Sequence, residues 1–178
     1  MFIGENPSWA IGQETPFSAT TISGQALDEY YLKPLNLARE QVWITDLFKC
    51  RYPKDVYHAK WQNNVTIQSV AATCAKLWLV QEIEIARPKV IVTLSDAQVY
   101  QRLRRAFELT TPVKFDEAVG TPHPVTLAGW STLLFPMIHP DISRPVGDGD
   151  NRKIKAREKW AGLQQEKYIP ALKAVLEA

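Results

Sequence analysis

The chain has 178 residues, a length that fits one compact domain with a single sizeable core. Hydrophobic residues make up 46% and charged residues 22%, which excludes a mainly disordered, collagen-like or coiled-coil chain. Lys+Arg number 21 against 19 Asp+Glu, a formal net charge of +2, so the local distribution of charge bears on a polyanionic partner more than the sum does. No apolar run is long enough for a helix to cross a bilayer. No charged-then-apolar leader is evident, and two cysteines cannot build a disulfide framework. The expectation is a single domain over residues 1–178, cytoplasmic, monomeric and with no membrane partner.

Phe2-Ile3 running into Gly4 reads as the end of a buried strand. Residues 5–21, rich in Gly, Pro, Ser and Thr, read as a long loop. Ser23 caps a predicted helix from Gly24 to Leu37, with Ala26, Leu27, Tyr30, Tyr31 and Leu35 at helical spacing and Pro34 kinking or ending it. Val42–Phe48 is a second strand, followed by a polar loop to Asn64. Thr66–Arg87 is a long helix with Ile67, Val70, Cys74, Leu77 and Trp78 on its apolar face, stopped by Arg87-Pro88.

Val90–Leu94 is a near-continuous apolar run, as expected of a central parallel strand. Asp96–Leu109 is an amphipathic helix, residues 110–128 hold short strands, and Thr132–Ile138 is a further strand. Residues 152–177 form a final helix interrupted at Pro170. Strands alternating with helices predict an α/β class, a three-layer α/β/α sandwich on a mostly parallel four-stranded sheet. Its site should lie outside the carboxyl ends of the strands. Those ends are Gly4-Glu5-Asn6-Pro7, Asp46, Leu94-Ser95-Asp96 and His139-Pro140-Asp141.

Four constellations could carry chemistry. Gly4-Glu5-Asn6-Pro7-Ser8 puts a carboxylate and an amide on a tight turn that can hold a water or an anion; alone it also fits an ordinary Asn-Pro turn. His139, fixed by Pro140, can donate to a developing oxyanion, or can be a structural histidine. Cys50 and Cys74 fall short of the four ligands that zinc or an iron–sulfur cluster needs, so two inert thiols are expected. Between residues 144 and 159, Arg144, Arg152, Lys153, Lys155, Arg157 and Lys159 outnumber Asp148, Asp150 and Glu158. That stretch is a solvated helix face or, following His139, a phosphate contact. P-loop, GxGxxG, HExxH and GxSxG patterns are absent.

Five segments in register resemble the uracil-DNA glycosylase superfamily, closest to its iron–sulfur-containing bacterial and archaeal branch. They are Phe2–Pro7, Pro16-Phe17 with Ser23–Leu27, Ile44–Pro53, Cys74 with Glu82 and Arg87–Leu94, and His139-Pro140-Asp141. The resemblance implies an N-glycosidase that flips an aberrant base out of single- or double-stranded DNA. Phe17 would stack on the base and Asp46 would read its edge. His139 would stabilise the departing pyrimidine anion, Asn6 would position water, and Glu5 would oppose the sugar cation or act as base. Ser8, Ser95, Pro140, Asp141 and Arg144 would face DNA.

The branch carries four cluster cysteines. Here only Cys50 and Cys74 match, so no cofactor is expected. Asp46 stands where the branch has Asn, and an ionised carboxylate offers acceptors only. It would have to be protonated to donate to uracil O4, or accept from an exocyclic amine. Asp141 replaces Ser, which puts a negative charge beside phosphates. Two further readings are a catalytically weak or inactive relative that binds nucleic acid or a protein, and an N-glycosidase for free nucleosides.

Overall fold

A computed structural model of the chain describes residues 1–7, 15–49, 65–95, 97–143 and 151–178, with the side chains of 65–68, 71 and 151–156 excepted. Strand β1 is Phe2–Gly4. Helix α1 comprises Ile22–Leu27 and a wide π turn, Asp28–Leu32. Strand β2 is Ile44–Asp46. Helix α2 runs through Val65–Cys74, a π turn Ala75–Leu79 and Val80–Ala86. Strand β3 is Val90–Leu94, α3 is Ala97–Ala106 and α4 is the short Phe115–Ala118. Strands β4, His123–Leu127, and β5, Trp130–Met137, precede α5, which passes through Asn151–Leu163, a π turn Gln164–Tyr168 and Ile169–Glu177.

The sheet order is β2-β1-β3-β5-β4. All neighbours are parallel except β4 and β5. The α/β class and the mostly parallel sheet agree with the sequence; the strand number is five rather than four. The added strand comes from residues 110–128, where Ala128-Gly129 turns the chain back with φ of +52° and +74°. Two consecutive positive φ values are the signature of the tight turn that matches strand twist in a hairpin.

Alternation along the strands sorts the core into two layers. Ile3, Ile91 and Leu134 face α2 and α3, packing with Leu79, Ile83, Val99 and Leu103. Phe2, Val90, Val92, Phe135 and Met137 face α1 and α5, packing with Leu27, Tyr31, Ile169 and Leu172. β1 is followed by β2 on one side and lies beside β3 on the other, so a topological switch point falls at its carboxyl end, where α/β sheets place their ligands.

Several boundaries differ from expectation for physical reasons. Thr21, not Ser23, caps α1: its backbone is extended and its hydroxyl accepts from the Gly24 N–H at 3.0 Å. The helix gives way before Pro34, and Asn36 turns the chain with φ +56°. In α2 the π turn rotates the apolar face. Cys74, Ala75, Leu79 and Ile83 are buried, while Leu77 and Trp78, expected inward, are 55% and 53% exposed. Arg87 ends α2 in the left-handed region just before Pro88, as the proline predicts. α5 is not broken at Pro170. The π turn before it ends the regular ladder, and the proline sits in the first turn of the next segment, where its missing N–H costs nothing.

Ala128 adopts a conformation that glycine tolerates and alanine resists. Ala128→Gly is expected to stabilise the protein by about 0.5–1 kcal/mol, read as a higher midpoint in urea with an unchanged slope.

Candidate active site

The carboxyl ends of β1 and β2 meet where Gly4 pairs with Asp46. A Cβ at Gly4 would lie 2.4 Å from Asp46 Oδ1 and 2.4 Å from Phe17 Cε2. Only a glycine lets the carboxyl group and the edge of the ring approach over this floor. Phe17 itself has φ +49°, a strained backbone for a bulky residue and one that structure must impose. The restraint comes from α1. A Cβ on Gly24 would meet Ser18 O at 1.9 Å and Phe17 O at 2.5 Å, and the Thr21 hydroxyl donates to Ser18 O at 2.8 Å. The first turn of α1 therefore clamps the Phe17 loop.

Asp46 is 3% exposed, and its Oδ2 has no hydrogen-bond partner among the described residues. Burial pushes its pKa up from 3.8 to about 7; Glu5 and Glu82 push the same way, and Lys49 opposes them. Lys49 Nζ donates to Glu82 Oε1 and Oε2, each at 2.8 Å, to the Asp46 carbonyl at 2.8 Å and to Thr45 Oγ1 at 2.6 Å. The lysine charge is thus shared with Glu82 and only partly offsets burial, so the Asp46 carboxyl is about half protonated near pH 7. A protonated carboxyl offers one donor and one acceptor, the pattern of an amide.

His139 follows β5, and its ring centroid lies 5.8 Å from that of Phe17. The buried Tyr31 hydroxyl donates to Ile138 O at 2.5 Å, fixing the residue just before it. The Asp141 N–H donates to His139 Nδ1 at 3.3 Å, so the neutral ring carries its proton on Nε2. The Asp141 side chain accepts from Ser23 Oγ at 3.1 Å. Arg157 donates to the carbonyls of Asp141 and Ile142, which turns one member of the basic stretch inward onto the site's own chain.

Glu5 forms an ion pair with Arg102, whose side chain is 7% exposed, lies 5.3 Å from the Phe48 ring and bonds Gln98 at 3.1 Å. The Phe48 N–H donates to Glu5 O at 3.0 Å and the Leu47 N–H to Gly4 O at 2.9 Å, so the Glu5 main chain continues the sheet. Asn6 donates to Pro7 O at 3.1 Å. Arg102 was not singled out in the sequence. The available signal was an arginine within the stripe of Val99, Leu103 and Ala106, where a charged residue needs a buried partner.

Ser95 is buried at the end of β3, as is Pro140 after His139. Ser8, Arg144 and Cys50 lie outside the described residues. Cys74 is packed in the core beside Ala75 and Leu79. Two cysteines in the sequence do not fit a cluster that needs four thiolates. No trio of His, Cys, Asp or Glu gathers into a metal site among the described residues.

The profile of the uracil DNA glycosylase superfamily matches residues 1–148. The chain is similar to a "Type-4 uracil-DNA glycosylase" of Saccharolobus solfataricus, 30% identical over 165 residues that cover 87% of this chain and 69% of the relative. It is also similar to a protein of the same name from Sulfurisphaera tokodaii, 29% identical over 165 residues, covering 87% and 68%. With that match spanning the strands and turns that carry Gly4, Phe17, Asp46 and His139, the chain belongs to the uracil DNA glycosylase superfamily.

Proposed function

We propose that this protein is a DNA glycosylase that excises uracil, or a related deaminated base, flipped out of the DNA stack. The supporting observation is the convergence of Phe17, Asp46 and His139 around the Gly4 floor at the switch point of the sheet. The Phe17 ring is a platform on which a flat base stacks. The protonated Asp46 carboxyl donates to uracil O4 and accepts from N3–H. Once ionised it presents acceptors only, and faces the O4 lone pairs repulsively. His139 Nε2–H donates to O2.

In the reaction the C1′–N bond breaks and its electron pair leaves with the base, placing negative charge on O2 beside His139. Water forms the new C1′–O bond, and its proton passes through solvent to the base. The sugar passes through a cationic centre, beside which Asn6 orients the water. Glu5, ion-paired with Arg102, supplies a fixed negative charge rather than a base. Ser95, Pro140 and Asp141 border the strand ends that the DNA approaches; Ser8 and Arg144, outside the described residues, are proposed as further DNA contacts.

Single-turnover release of uracil from single- and double-stranded oligonucleotides tests this reading. His139→Ala is expected to lose about 10²–10³-fold, the worth of one oxyanion donor. Wild-type release should decline as pH rises through about 7, and Asp46→Asn should abolish that decline. Absence of release from both wild type and Asp46→Asn would sink the proposal.

Asp46 also makes a stability prediction. Its folded pKa of about 7 stands above the ordinary carboxylate value of 3.8. The folded state therefore keeps a proton that the unfolded chain releases, and stability is lost as pH rises from about 4 through 7. Asp46→Asn has no such loss. The variant's advantage in urea titrations should grow across that window, on the order of 4 kcal/mol in full, and be smallest near pH 4.

A further inference from the structure

Lys49 follows β2 closely, and an ammonium near a buried carboxyl ordinarily holds that carboxyl ionised. Here its three N–H donors are directed elsewhere. Lys49 Nζ donates to both Glu82 carboxylate oxygens at 2.8 Å, to Thr45 Oγ1 at 2.6 Å and to the Asp46 carbonyl at 2.8 Å. The Thr45 hydroxyl donates in turn to Glu82 Oε2 at 2.9 Å, which closes a ring of hydrogen bonds on that carboxylate. Lys49 thus meets the main chain of Asp46, while Asp46 Oδ2 is buried and has no hydrogen-bond partner among the described residues. The Lys49 and Glu82 side chains are only 24% and 23% exposed, so water screens their charges incompletely.

We infer that Glu82 is a positioning residue for base recognition: by drawing the Lys49 ammonium onto α2, it leaves the Asp46 carboxyl able to keep a proton and donate it to uracil O4. This rests on the reading of Asp46 as the group that meets the base edge. Glu82 acts through Lys49 rather than on the base. With the lysine charge released toward it, Asp46 would ionise, present acceptors only and repel O4. The Glu82–Lys49 pair therefore sets the pH range over which the pocket accepts uracil.

Each element packed on Asp46 contributes to this balance. Burial raises the Asp46 pKa most; Lys49 lowers it, and Glu5, at the end of β1, and Glu82, on α2, raise it. Arg102 of α3 is paired with Glu5. The group that approaches from the α1 side is the uncharged Phe17 ring, whose centroid lies 5.8 Å from that of His139.

Removing one or the other member of the pair should move Asp46 in opposite directions, which a merely structural role does not do. The test follows the Asp46 carboxyl by carbon NMR in the DNA-free protein, with Asp46→Asn identifying the signal. Uracil release is followed alongside, in single turnovers at saturating DNA across pH. Glu82→Gln keeps the shape and an acceptor for Lys49 while removing the charge. The Asp46 midpoint is expected to fall by about one pH unit, and release to drop about 5-fold near pH 7 and little near pH 5. Lys49→Met should raise the midpoint by about one pH unit and increase release about 5-fold near pH 8. Lys49→Gln gives the same sign should Lys49→Met not fold. Combined with Asp46→Asn, neither Glu82→Gln nor Lys49→Met should move the pH profile. Shifts of one sign in both variants, no shift in either, or a profile still displaced in combination with Asp46→Asn would overturn the inference. So would a rate loss equal at every pH with a lower melting midpoint. Opposite NMR shifts in a protein whose wild type and Asp46→Asn variant release no uracil would overturn the proposed function while leaving the Glu82–Lys49–Asp46 coupling in place.

Discussion

At Gly4 a hydrogen atom stands where any other residue would put a carbon 2.4 Å from a carboxylate oxygen and 2.4 Å from an aromatic ring. β1 reaches its end at the sheet's switch point, and there its last residue must occupy almost no volume. Asp46 closes over it from β2, and Phe17 from a loop that α1 clamps. Without that approach the ring and the carboxyl would separate. Much of the surrounding structure serves to hold this contact: the Thr21 cap, the contact of Gly24 with the Phe17 and Ser18 carbonyls, and the positive φ of Phe17.

The electrostatics at the site follow from the order of two effects. Desolvation dominates at Asp46, and the nearby lysine does not reverse it, because Lys49 is already engaged by Glu82 and by two oxygens of β2. Glu5 is handled in the opposite way, with an arginine drawn from α3 into the core. Two carboxyls at adjacent strand ends are therefore handled differently: Glu5 is ion-paired with Arg102, while burial raises the pKa of Asp46 to about 7. Such separation of neighbouring acids is how a fold assigns them different tasks.

The strands were legible because an apolar run such as Val90–Leu94 has few other readings, and the site was legible because polar residues cluster after those runs. Phe17, Asp46 and His139 could be named from sequence; their convergence over Gly4 depends on strand order. The hairpin that adds β4 was hidden by Ala128, since an alanine is a poor sign of a turn with positive φ. Leu77 and Trp78 were placed on the wrong face of α2 because helical spacing assumes 3.6 residues per turn throughout, and a π turn breaks that count. Arg102 was missed because a charged side chain reads as solvent-facing until its partner, distant in sequence, is known.

Each of the three π turns among the described residues inserts one residue into an otherwise regular helix. In α1 that turn contains Tyr31, whose hydroxyl holds the carbonyl before His139. A regular helix turns by about 100° per residue, so removing one residue from α1 would swing the tyrosine away from that carbonyl. The length of a helix near the start of the chain thus works as a gauge block for a histidine more than a hundred positions later. Single-residue insertions and deletions in α1, which leave its composition and apolar character almost unchanged, would displace His139 without touching any residue around it.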